Sequence, residues 1–357
     1  MQTLSGQRVF TVGQTSYVWE DVVLAGLLWG DWTALEERVR SGLACLARLD
    51  DPDEDDDDDA LDEADVETAA AEFRYARDLV AAADLEAWLE RRGLSVEAWL
   101  DFIRRGLLIE RWADDLEEIR EAYELDDDEV AAAVVCDALC GGLAADLAGR
   151  LAARAAIHAR GSDEPEATAV DGPAGESPTV PDDVLERSLP DLPRPACRER
   201  LRALAGLEGG WRRFTERVAT PEALRALIGA RRLDWVRVVI QGVLTPDEDV
   251  AREIASCVRV DRRPIGEVAE EAGQRAETLE WWLDEVDGPL RDALVGAQAG
   301  DVVGPLPFKE HQLVFVVDAK RLPAEDDPAV RARAEQALLA RTVDREVANR
   351  VTWHGTL

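Results

Sequence analysis

Apolar and polar positions along this 357-residue chain follow two rhythms, a short alternation at the ends and in the last third and a helical period over most of the rest. Residues 8–12, RVFTV, form a β-prone run closed by Gly13, and TSYVWEDVVLAGLLWG then opens an apolar helix behind a Ser/Thr start signal. The implied order is strand, turn, helix. Between residues 62 and 160 apolar side chains recur at helical spacing in three or four segments, about 62–92, 95–106, 108–122 and 127–160. Gly93 with Ser95, the surroundings of Gly106, and the acidic start at Asp126, Asp127 and Asp128 mark the breaks. Trp88, Trp99 and Trp112 fall within these segments and Trp19, Trp29 and Trp32 in or beside the first apolar helix, and aromatic residues at helical spacing are expected in a core.

Residues 161–196 change character: they are rich in Pro, Gly, Ser and acid, the composition of a linker. Helical periodicity resumes in connecting helices over 197–233, with Thr220 as a cap and Pro221 at a first helical position. Residues 234–243 then read as a strand, TPDEDVAREIASCV as a capped helix and 264–272 as a short one. ETLEWWL is β-prone, GPLRDALVGAQ helical, and VVGPLPF and HQLVFVVDAKR form two strands about a turn at Lys309 and Glu310. This alternation predicts an α+β domain with an antiparallel sheet. Trp281 and Trp282 take opposite faces of their strand, so at most one is expected in the core. A long helix from Pro328 to about Arg350 follows, and the chain ends in RVTWH. RVFTV and RVTWH are orphan strands that each need a partner for their backbone groups, which predicts 350–354 antiparallel to 8–13.

Charge narrows the function. Seventy-five acidic against 41 basic residues leave a net charge of −34, which repels phosphate backbones and anionic lipid. Neither nucleic acid nor a membrane is expected as a partner; basic or neutral polypeptides are. Part of the excess lies in one block, residues 50–59, which reads as a solvated loop. No apolar run reaches the ~18 residues of a membrane span, and no basic segment precedes an apolar one near the start, so a cytoplasmic location is expected. Cys45, Cys136, Cys140, Cys197 and Cys257 are odd in number and scattered, as reduced thiols are, and Cys136 and Cys140 read as small helix-packing residues one turn apart. His158, His311 and His354 have no metal-ligand spacing, and no phosphate loop or nucleophile elbow is present, so neither metal nor cofactor is expected.

One stretch carries a family pattern. Residues 290–297 supply an apolar helix, Gly300-Asp301-Val302-Val303-Gly304-Pro305 a central motif, and residues 313–317 a closing strand. In this order, residues 276–317 resemble the second half of a parvulin-type peptidyl-prolyl isomerase. Gly300 is expected to close the helix in a left-handed conformation, and Gly304-Pro305 to set an extended entry into the hairpin. The order of elements in the whole chain is similar to that of SurA-like chaperones. That resemblance implies a mostly helical N-terminal domain, residues 1–160, completed by the C-terminal helix and strand in 325–357. A parvulin-like (FKBP-like) α+β domain, residues 234–324, is inserted between them.

The same resemblance locates what is missing. Parvulins place histidines on the first and last strands beside Cys or Asp and Ser or Thr. Here residues 235–243 contain no His, Leu313 stands at the last-strand His position, and Phe308 stands at the Ser/Thr position. His311, two residues earlier, reads as an exposed turn residue. Prolyl rotation faces a barrier of ~18–20 kcal/mol, and lowering it needs groups that favour the twisted amide. An apolar wall binds planar and twisted forms alike. The resemblance therefore implies a chaperone-like or peptide-holding accessory protein without catalytic residues. Its partners would be unfolded or extended polypeptides, basic or Pro-containing, bound at Trp235, Val286, Leu290, Phe308, Leu313 and Phe315. An active isomerase using other groups, and a scaffolding subunit of a peptide-maturation or other larger assembly, are the alternatives.

Overall fold

A computed structural model describes residues 4–49, 61–163 and 180–355. The acidic block at 50–59 and most of the Pro/Gly-rich stretch lie outside the described residues. The elements are β1 (Arg8–Val12), β2 (Thr15–Val18), α1 (Trp19–Trp29), α2 (Asp31–Leu49), α3 (Glu63–Tyr75), α4 (Ala82–Arg92), α5 (Val96–Arg111), α6 (Leu116–Ala122), α7 (Asp127–Cys140) and α8 (Leu143–Asp163). They continue as α9 (Asp182–Ser188), α10 (Arg194–Val218), α11 (Pro221–Ala230), β3 (Arg237–Thr245), α12 (Glu248–Val260), α13 (Ile265–Glu271) and β4 (Ala276–Trp282). Last come α14 (Gly288–Gly296), β5 (Val302–Phe308), β6 (His311–Arg321), α15 (Pro328–Arg350) and β7 (Val351–Trp353). The chain is a mixed α+β fold that divides into a larger unit, Met1–Phe214 with Thr342–Leu357, and a smaller one, Thr215–Arg341.

In the larger unit a three-stranded antiparallel sheet has the order β2-β1-β7. Phe10 pairs with Trp353 and Val12 with Val351, so segments from opposite ends of the sequence share one sheet. Phe10 is fully buried, its ring 4.6 Å from Tyr17 and 5.3 Å from Trp353. Against this sheet and around it pack the helices. The middle of α1 is buried on every side, as Val22, Val23, Leu24 and Ala25 show, because helices α2 and α8 both lie against it. Gly26 permits the approach to α8: a Cβ there would stand 2.8 Å from a Leu147 methyl. Trp19, Trp32, Trp88, Trp99 and Trp112 are buried as helical spacing predicts. Trp29 is half-buried, with Arg150 and Arg154 stacked on its ring at 4.4 and 4.5 Å.

Several boundaries differ from the sequence reading, each for a local reason. Gly13, at φ 59°, lets residues 15–18 fold back on β1, so a second strand precedes the first helix. Asp78, at φ 56°, and the turn around it split 62–92 into two helices, and Gly142, at φ 83°, splits 127–160. Gly106 breaks nothing; α5 runs through it to Arg111. The expected linker 161–196 is corrected over its last part, because Val180, Leu185 and Leu189 are buried in the core of the larger unit. Cys197, Leu201, Leu204 and Leu207 of α10 join the same core, so residues 197–207 belong to that unit and do more than connect. Conversely, Val330 and Ala334 of α15, with Leu338, pack around Trp235 in the smaller unit. The expectation that all of 325–357 completes the N-terminal domain therefore holds only for its end.

The smaller unit is built on a four-stranded antiparallel sheet of order β4-β3-β6-β5. One face, carrying Val238, Ile240, Leu313, Phe315 and Val317, is covered by α14 through Leu290 and Leu294. The other, with Val243 and Val314, is covered by α12 and α13 through Ile254, Val258, Ile265 and Val268. Residue alternation in β6 accounts for both faces. Among the described residues no single helix is long and apolar enough to cross a membrane.

Candidate binding site

The six residues expected to line a peptide groove do not line one. Leu313 and Phe315 are 1% and 0% exposed, and Val286 and Leu290 are buried beside them in the cluster under α14. Phe308 is half-buried at the margin of that cluster, its ring 6.2 Å from Trp281, with the Lys309 ammonium 5.9 Å above it. Trp235 belongs elsewhere, in the cluster with Leu224, Ile228, Val330 and Ala334. This corrects the expected pocket. Apolar side chains at these positions have no polar neighbour to keep water among them, so they close on each other and become core. Trp281 and Trp282 are both half-buried, the first against the α14 cluster and the second against the Trp235 cluster, where Arg333 stacks on it at 4.8 Å.

Open space lies next to the filled face. A cavity of about 790 Å³ is bounded by Gln241 and Val316 of the sheet, Val302 and Val303 at the start of β5, Ala293 and Ala297 at the end of α14, and the segment after α12. The Asp247 carboxylate caps α12 at its start by accepting from the Asp249 and Val250 amides. Its last turn delivers Arg259, and the chain then turns through Arg262, at φ 56°, to Arg263 and Pro264. Three arginines thus border one cleft in a chain of net charge −34.

Their commitments differ. Arg259 donates from Nη2 to the carbonyls of Val302 and Gly304, both at 3.2 Å, and so ties the end of α12 to β5. Arg263 grips Glu271 with two hydrogen bonds of 2.8 and 2.5 Å, which hold the Glu271 carboxyl below the usual carboxylate range. Arg262 is exposed and makes no ion pair or hydrogen bond among the described residues. Gly300 does not close α14, which ends at Gly296; at φ 89° it turns the chain into β5 and donates its amide to the Val317 carbonyl at 2.7 Å. Asp301 accepts from the Gln298 amide at 2.7 Å, which fixes that turn as one wall of the cleft. Gly304 lets β5 lie close on β6, since a Cβ there would meet the Leu313 carbonyl oxygen at 2.5 Å.

The floor of the cleft is apolar, from Val258, Val302 and Val316, and its rim offers one free guanidinium. Such an arrangement suits an extended ligand with apolar side chains and a carboxylate. His311 is exposed at the β5–β6 turn, as its position predicts. Among the described residues no three His, Cys, Asp or Glu side chains are placed to hold a metal ion. Sequence reasoning missed the cleft, although its signal was present as RVDRRP, three arginines in five positions against an acidic background. In comparisons with known proteins, no family model matches the chain and no curated protein matches it.

Proposed function

We propose that this protein binds extended polypeptide segments without catalysing a reaction on them, and that its smaller unit is a parvulin-like scaffold whose proline pocket has been filled from within. The arginine-bordered cleft carries this reading. It is large enough for several side chains, has an apolar floor, and holds its free cation where a ligand carboxylate can reach it. Pairing with the outer strand is disfavoured because Pro305 and Pro307 remove two donors from β5. Side chains, rather than backbone ladder bonds, would then do most of the recognition. The local cation also revises the client class. Overall charge favours basic partners at long range, but screening limits that field to ~8–10 Å near physiological ionic strength, so Arg262 governs contacts inside the cleft. The preferred client carries an acidic residue among apolar ones.

The test compares a fluorescent, unstructured peptide carrying one Glu among apolar residues with its Lys counterpart, by anisotropy on the full chain. The Glu peptide is expected to bind more tightly, and Arg262→Glu to weaken it by about fivefold, the order of one exposed ion pair. Prolyl exchange in a short peptide, followed in parallel, should keep its uncatalysed rate of tens to hundreds of seconds. A rate increase would favour an isomerase. Absence of binding to either peptide would favour a scaffolding subunit.

A further inference from the structure

The larger unit carries an open groove of about 920 Å³, bordered by α2, α3, α5 and the link between α6 and α7. Its floor follows from helix spacing. Leu43, Leu46 and Ala47 stand at i, i+3 and i+4 on one face of α2, and Val66 and Ala70 lie one turn apart on α3. Leu100 of α5 and Leu125 of the link extend it. Leu46, Val66, Leu100 and Leu125 pack against the core yet are only half-buried, so apolar surface stays in contact with water along the groove.

Carboxylates border that floor. Glu63 and Glu67 share the face of α3 that carries Val66 and Ala70, and Glu124 and Glu129 flank Leu125 near the start of α7. All four are exposed, and none forms an ion pair among the described residues. Arg104, the one cation among the lining residues, is held by Asp101 at 2.9 Å. The rim is thus negative and reachable from solvent, so a partner that covers the apolar floor meets it best with cations. No lining residue belongs to a strand. An extended segment would find no ladder for its backbone groups there, whereas a helix satisfies its own. A second copy of this chain, itself at −34, is repelled. We infer that this groove docks a basic amphipathic helix of a partner protein, with its apolar face on Leu46, Val66 and Leu100 and its lysines or arginines against the four glutamates. The site is separate from the arginine-bordered cleft and selects the opposite charge.

Fluorescence anisotropy on the full chain would test it with labelled peptides of about 18 residues, long enough to hold a helix. One carries Leu and Lys at helical spacing, the second the same residues in an order that breaks the apolar face, and the third Leu and Glu at helical spacing. The first should bind at least about tenfold more tightly than either of the others, since only it matches both floor and rim. Glu63→Lys with Glu67→Lys should weaken it by about tenfold, the order of two exposed ion pairs reversed. Glu277→Lys with Glu310→Lys makes the same change of charge at exposed sites of the smaller unit and should alter affinity by no more than about twofold, because screening confines the effect of distant charges. Leu125→Asp puts a carboxylate on the floor and should also weaken binding. Circular dichroism would check its fold, and the exposed rim pair decides the matter if that variant does not fold. Equal affinity for the patterned and reordered peptides, equal losses in the rim and control variants, or no saturable binding of the Leu/Lys helix would overturn the inference.

Discussion

The Arg105 guanidinium meets the Asp137 carboxylate at 2.5 Å inside the larger unit, with the two side chains 5% and 10% exposed. The pair is accommodated by Gly42 on the neighbouring helix, where a Cβ would come within 2.8 Å of the Arg105 Cβ. Burial pushes the Asp137 carboxyl upward even though Arg105 opposes the shift. Arg105→Met should therefore cost about 3–5 kcal/mol, because it strands a carboxylate in the core, whereas Arg105→Met with Asp137→Leu should recover most of that loss. Urea unfolding read from the near-ultraviolet signal of the buried tryptophans would distinguish the two. A single variant as stable as the double would show that the pair is not the constraint.

Phe10 and Trp353 offer a direct measure of how β7 contributes. Phe10→Ala removes a fully buried ring and should destabilise the larger unit by about 3–5 kcal/mol, while Trp353→Ala, at a 47% exposed site, should cost about 1 kcal/mol. Hydrogen exchange should show lost protection at Thr11 and Val12 in both variants. Protection at Ile240 and Val317 of the other sheet should be unchanged.

These two strands were legible in the sequence because β-branched and aromatic residues cluster in both and the pattern showed no neighbouring strand for either, although β1 also pairs locally with β2. β2 was not, since TSYV is short and runs without a break into the apolar pattern of α1. The α9 segment was hidden by its Pro and Asp content, although Val184, Leu185 and Leu189 already marked one apolar face. For the site, sequence identified Leu313 and Phe308 as apolar. Whether such residues surround a hole or fill it depends on how closely α14 settles on the sheet, which no local pattern encodes.

Gly304→Ala should unfold or loosen the smaller unit selectively. At φ 113° an alanine is strained, and its Cβ would press on the backbone at Leu313 and Val314, which cannot swing aside. A loss of about 1–3 kcal/mol is expected. Gly300→Ala, with nothing within 4 Å of the added carbon, should cost only the strain of its φ, about 1 kcal/mol. Thermal melts of the two variants would rank them, and equal losses would contradict the close approach of β5 to β6.

Cys45 makes stability depend on alkaline pH. Burial pushes its thiol from 9.0 up to about 11, with nearby Arg48 opposing. The folded value is the higher one, so this contribution is complete below pH 9 and is lost as pH rises from 9 through 11. Cys45→Ala should show a flatter decline over that interval than the parent in urea melts at successive pH values. Parallel profiles would mean that ionisation of this thiol is not coupled to unfolding.

Pairing of β1 with β7 also has a consequence for biosynthesis. A ribosome extends a chain by about 5–20 residues per second, so β1 must wait on the order of tens of seconds for β7, which is made several hundred residues later. During that interval every residue of the smaller unit, Thr215–Arg341, has been synthesised, while Phe10 still lacks Trp353 and one side of β1 keeps its backbone donors and acceptors unfilled. Closure of the larger unit is thus deferred until β7 has been made and has left the ribosome, and the open β1 is the part of the molecule that a ribosome-associated chaperone would have reason to cover until then.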